Sequence, residues 1–300
     1  MSGNSFAVVR HKIRKRGING AAAQSVLIFY LVLMLLFTLL PVIITVILSL
    51  KTEQDISTGS LWSLPTKIQW ENYSSAIVEA LPNMGITIFI ALVSVVVMTL
   101  LSAFSAYIFV RKRFPGRNLL FYLVILPMLV PGVVSLTPQY LNIVQMNLLG
   151  SWFAVILPYI AGNQIATIFL FRTFMSQQPA DIYEAAEIDG SGDIRTYFSL
   201  CLPMTFGIIM VQGVSIFSAI YNDYLWPLMI FMNNPEHGTL MPALKDLAVK
   251  ASEAILSDGT MAGRGATYAL YLVSGIPLVI TTVIGLKFFV DGEFASGLKL

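Results

Sequence analysis

Few residues in this 300-residue chain have the type and spacing to do chemistry. His11 and His237 lie far apart with no ligand cluster beside either, so no metal site is expected. Cys201 is the single cysteine; it can form no internal disulfide and reads as a small packed thiol. The chain has no G-x-x-x-x-G-K run followed by Ser or Thr, hence no phosphate-cradling loop of its own. An enzyme working inside a membrane would need a Ser/His, Asp/Asp or His-Glu-His constellation at depth, and neither histidine is placed for it. Two clusters remain. In segment 176–203 the acids Asp181, Glu184, Glu187, Asp189 and Asp193 face only Arg195. Such a surface can accept charge-assisted bonds from a partner's arginine, or it can be an ordinary solvated acidic helix. The second cluster is the run from Tyr221 through Asn222, Asp223, Tyr224 and Trp226 to Pro227. An acid at membrane depth is a functional candidate, and aromatics beside polar groups suit a sugar. A hydrated acid in an interfacial aromatic belt fits the same run. Asn163, Gln164 and Gln212 are further polar candidates for a substrate path, each equally explained by inter-helix hydrogen bonding.

These residues sit in an unusually apolar chain. Hydrophobic residues make up 56% of it, charged residues 11%, and the mean hydropathy is +0.77. An ordinary globular domain carries about 25% charge, so a lipid solvent is implied. A net charge of +2 excludes a nucleic-acid partner. A spanning helix needs roughly 20 mainly apolar residues, and six segments qualify: 24–50, 84–110, 119–143, 151–174, 204–232 and 266–290. The first is too long for a secretory h-region and is expected to stay in the bilayer. Pro127, Pro131 and Pro138 interrupt the third, which reads as a kinked, bundle-buried helix. With the amino terminus inside, thirteen of the 18 Lys and Arg residues fall on inner segments. The fold class is therefore an all-α polytopic membrane protein with six transmembrane helices and both termini cytoplasmic. Residues 1–23 form a basic cytoplasmic tail, and 24–300 the transmembrane domain. Of the outer segments, 51–83 carries Trp62 and Trp70, suited to an interface. Segment 233–265 holds Leu244, Leu247, Ala248 and Ala251 at helical spacing, an amphipathic helix resting on the outer face.

The inner segment 176–203 reads as a helix–turn–helix rather than a plain connector. Pro179 suits a first helical turn, Asp181 and Glu184 favour the positive end of the dipole, and Gly190 can end the helix. Asp193 can cap a second helix running to Pro203.

Glu184-Ala185-Ala186, then Asp189-Gly190, then Leu202-Pro203 resembles the EAA loop of binding-protein-dependent ABC importers, with Phe198 where the sugar branch carries an aromatic. Residues 24–300 resemble the smaller permease of maltose-type carbohydrate importers, down to the tail from Phe288 to the near-terminal Lys299. Gly207 departs from that pattern, where a second proline is usual. The resemblance implies a type I ABC importer permease fold in the bacterial inner membrane. It also implies a heterodimer with a second homologous permease, two ATP-binding subunits carrying ATP and Mg, and an extracytoplasmic solute-binding protein. It further implies that Glu184, Ala185, Ala186, Asp189, Gly190, Leu202 and Pro203 couple ATPase closure to alternating access, with Glu184 bonded to an ATPase arginine. This chain is expected to bind no cofactor itself. A non-sugar ABC importer is the nearest rival reading. A secondary transporter is a further one, opposed by the lack of inverted halves.

Overall fold

The computed structural model describes residues 5–297, with side chains from 23 to 288. The basic side chains of the amino-terminal tail, Arg10 to Arg16, and the near-terminal Lys299 lie outside the described residues. In chain order the helices are α1 (Ser5–Ser49), α2 (Glu53–Thr58), α3 (Glu71–Arg111), α4 (Arg117–Ile125), α5 (Gly132–Gln145) and α6 (Phe153–Met175). They continue with α7 (Ala180–Ile188), α8 (Asp193–Thr196), α9 (Leu202–Tyr221), α10 (Leu225–Phe231), α11 (Leu240–Glu253) and α12 (Gly263–Gly297). Among the described residues, five helical stretches are long and apolar enough to cross a membrane, and a sixth is obtained if the bent pair α4–α5 counts as one span.

α3 is the central strut, packed against α6, α9, α11 and α12. Its contact face is built from Ala76, Ala80, Ala91, Ala103 and Ala106, all fully buried. Small residues let helix backbones approach closely where lipid supplies no hydrophobic drive between helices. Phe217 and Tyr221 of α9, Leu240 and Leu247 of α11, and Leu270 of α12 complete one cluster with Ala76, Ala80 and Ala91, while Ala103 and Ala106 pack in a second with Phe171, Tyr183 and Tyr197. Gly285 of α12 meets α9 so closely that a Cβ there would stand 2.9 Å from Val214 Cγ2.

Four expectations are corrected. The helix that carries the second span begins at Glu71, well ahead of Met84, because Asn72, Ala76, Ala80 and Asn83 are buried and extend it. The α4–α5 pair carries the expected kink, a bend of 98°. Val130 and Pro131 take extended backbone there, as the residue before a proline is driven to do. It is not buried in this chain, since Leu129, Val133 and Val134 are exposed. The fifth span stops at Tyr221; the chain breaks over Asn222 to Tyr224 and re-forms as α10. α11 does not merely rest on a face: Leu240, Ala243, Leu247 and Ala248 enter the core beside α3 and α12.

At the end of the bundle opposite α7, a clasp joins α2 to the first turn of α12. Arg264 donates from Nε to Glu53 Oε1 at 2.8 Å, from its backbone N–H to Glu53 Oε2 at 2.7 Å, and from Nη2 to Ser57 Oγ at 2.7 Å. Glu71 accepts from Ser257 N at 2.8 Å. Lys51, fully buried, donates to Ser60 O at 2.9 Å and Ser63 Oγ at 3.0 Å, which fixes the intervening loop.

Candidate functional site

α7 stands between two apolar rods, with Pro179 at its N-cap rather than in its first turn. Its carboxyl end is closed by Gly190 at φ +78. Ser191 N donates to Ala186 O at 2.9 Å, and Gly190 N to Glu187 O at 3.0 Å. This pair of bonds is the Schellman closure, which needs a left-handed residue that glycine supplies without a Cβ penalty. Gly192 then takes the N-cap of α8, and Asp193, expected as the cap, is the first helical residue. Its carboxylate pairs with Lys112 at the end of α3, and that hydrogen bond raises the lysine pKa.

Between α8 and α9 the helix widens into a π turn over Tyr197–Cys201, where Leu202 N reaches back to Tyr197 O. Pro203 follows directly; it has no N–H, and its ring would crowd the carbonyl of Ser199 in a regular turn. The stretch Asp193–Tyr221 is nonetheless one apolar rod. Of the residues named from the sequence, Glu184, Ala185, Asp189, Gly190 and Pro203 are exposed, while Ala186 and Leu202 are half-buried.

Tyr183, one residue before Glu184, roots α7 and was not singled out by its chemistry. It is buried in a cluster with Tyr107, Phe171, Met175, Tyr197 and Cys201. The Arg111 guanidinium lies 3.6 Å from its ring centroid and donates to Met175 O at 3.2 Å and Gln178 O at 3.3 Å. Tyr183 donates its hydroxyl to Gln178 Oε1, and Gln178 Nε2 donates to Thr205 Oγ1 at 3.1 Å. Burial pushes the Tyr183 hydroxyl well above its ordinary value, which keeps it a donor. Ends of α3, α6 and α9 thus grip the one helix that bears Glu184. The Cys201 thiol is fully buried in this root, packed beside Met175 Sδ at 3.7 Å.

Three of the substrate-path candidates, Asp223, Asn163 and Gln212, fall on one hydrogen-bonded ladder. Asp223 sits at the α9–α10 break, where Oδ2 accepts from Tyr159 at 2.8 Å and Oδ1 accepts from Leu225 N at 3.1 Å. Asn163 Nδ2 donates to Tyr159 O at 2.8 Å, and Thr167 Oγ1 donates to Asn163 O at 2.8 Å. Gln212 Nε2 of α9 closes the series on Thr167 Oγ1 at 3.2 Å. Asn222 turns back to Ser218 O at 2.8 Å, and Tyr224 is exposed; neither joins the ladder. Tyr159 and Thr167 were missed, although with Asn163 they make a polar stripe at i, i+4, i+8 on an apolar helix.

A bundle of apolar helices from which a tethered acidic helix emerges between two spans defines a polytopic integral membrane protein. Residues 96–290 match the model of the family described as binding-protein-dependent transport system inner membrane component, and the chain belongs to that family. It is 27% identical over 254 residues to the diacetylchitobiose uptake system permease protein NgcG of Streptomyces coelicolor, covering 83% of this chain and 80% of that one. It is 27% identical over 270 residues to the sn-glycerol-3-phosphate transport system permease protein UgpE of Yersinia pestis, covering 87% and 92%. A chain in the crystal structure of a bacterial ABC transporter involved in the import of the acidic polysaccharide alginate shares the fold. Its TM-score is 0.73 at 19% identity, over 92% of this chain and 98% of that one.

Proposed function

We propose that this chain is one membrane-spanning half of an ATP-driven sugar or oligosaccharide importer in the bacterial inner membrane, with six spans and both termini in the cytoplasm. ATP and Mg belong to two partner ATPases, and an extracytoplasmic binding protein delivers the solute. A second, homologous permease completes the pair; the exposed apolar surface of α4–α5 supports that pairing. α7 is the joint. The observation that carries this reading is its construction: Glu184 exposed, the helix closed by Gly190, and Tyr183 clamped beneath Arg111. A displacement of α7 must move α3, α6 and α9 together. Asp223, Tyr159, Asn163 and Gln212 are the side chains we assign to the solute path. The sugar assignment draws on the relative named for diacetylchitobiose and the transporter named for alginate; the relative named for sn-glycerol-3-phosphate favours a second reading, a non-sugar solute carried the same way.

The test is Glu184→Arg in the assembled importer. Association with the ATPase subunits is expected to weaken at least about tenfold, or about 1.4 kcal/mol, and uptake to fall with it. Unchanged co-purification and uptake would remove α7 as the joint.

A further inference from the structure

We propose that the α3–α4 loop with the start of α4, on one side, and helix α7, on the other, form one bipolar socket for a segment of the ATP-hydrolysing partner that carries both a cation and an anion. The cation faces Glu184 and Glu187, and the anion faces Arg113 and Arg117. This rests on the coupling reading above and adds a second contact that the EAA residues do not include.

A cavity of about 640 Å³ separates the two elements. Arg113 and Arg117 line one side, and Glu184 and Glu187 the other. Across it runs a single ion pair among the described residues, Lys112 to Asp193. Arg111 is already committed to Tyr183 and two carbonyls. Arg117 donates from Nη1 to Lys112 O at 3.2 Å, which holds it at the rim. Arg113, Arg117, Glu184 and Glu187 make no ion pair among the described residues, though opposite charges line one void. A segment of one sign would be repelled by one wall, whereas a segment of both signs is attracted by each.

A phospholipid headgroup carrying phosphate and ammonium meets the same charge pattern. The neighbouring apolar residues favour protein. Ile188 is 86% exposed and follows Glu187; Ile194 is 68% exposed and follows Asp193. Neither lines the cavity itself, but exposed isoleucines next in sequence to its charged residues extend the surface beyond it with the apolar part of a protein interface. A headgroup would leave them uncovered.

The experiment uses the whole importer, with the double reversal Arg113→Glu/Arg117→Glu beside Glu184→Arg. Retention of the ATPase subunits is measured in detergent, with phospholipid assayed in the same samples. A drop of at least about tenfold for the double reversal, comparable to Glu184→Arg, is expected. If the reversal does not fold, Arg113→Gln/Arg117→Gln supplies the readout: the complex should dissociate at lower salt than the parent. Wild-type retention and salt tolerance in the arginine variants, with Glu184→Arg dissociated, would overturn the socket and leave α7 as the joint. Retention by all variants would overturn both. Intact retention with loss of bound phospholipid would make the cavity a headgroup site and end the proposal.

Discussion

Glu53 and Arg264 close the clasp between α2 and α12 through three contacts, and one of the partners titrates. Burial pushes the Glu53 carboxyl up, but the hydrogen bonds and charge of Arg264 outweigh that and hold it below its ordinary value. A depressed acid contributes stability above its unfolded pKa, about 4.3, and loses it as pH falls through the lowered value. Acidification from about pH 6 to pH 3 is therefore expected to speed protease cutting within the loop from Ser57 to Thr66, by the modest amount of an exposed pair, below about 1 kcal/mol. Glu53→Gln should cut fast at every pH; a cutting rate that ignores both pH and the substitution would deny the clasp its role. Neither residue was legible as a pair, because 211 positions separate them. Asp223 illustrates the opposite case. Its type marked it, but only the fold shows that Tyr159 and the α10 amides hold it.

At the scale of the element, α7 was the most readable part of the chain. Its boundaries are set by local punctuation, Pro179 and Gly190, which act whatever the rest of the protein does. The π turn and the break after Tyr221 were not readable, since apolar residues flank both and hydropathy averages across them. The break is decided by side-chain bonds to Asp223, and the first turns of α3 by burial of Asn72 and Ala76 against other helices. Local punctuation also makes a prediction. Gly190 has open space around a notional Cβ, so only its φ of +78 resists substitution. Gly190→Ala should cost about 1–2 kcal/mol and loosen ATPase retention, while Gly190→Asn, which tolerates that conformation, should lose less. Equal thermal midpoints and equal retention for the two variants would show that the turn's handedness is immaterial.

For the whole molecule, the apolar composition announced a membrane bundle, and the stripe of alanines that assembles it was visible only in the packing of α3. Close approach of α12 to α9 at Gly285 makes the assembly sensitive to added bulk. Gly285→Leu is expected to cost about 1–3 kcal/mol, read as a lower unfolding temperature of the purified complex; an unshifted transition would mean the two helices are not held at that spacing. The length of α3 has a mechanical consequence. Its 41 residues make a rod of about 60 Å, roughly twice the hydrocarbon thickness of a bilayer. Arg111 at one tip stacks on Tyr183, and Glu71 at the other holds Ser257. Pro82, near the Glu71 end, removes one ladder bond from the helix. Apart from that, such a balance beam needs no relay of switching side chains between its two tips. A tilt of about 10° carries one tip about 10 Å relative to the other, so any push at the Arg111 end is delivered to the far loops in the same movement.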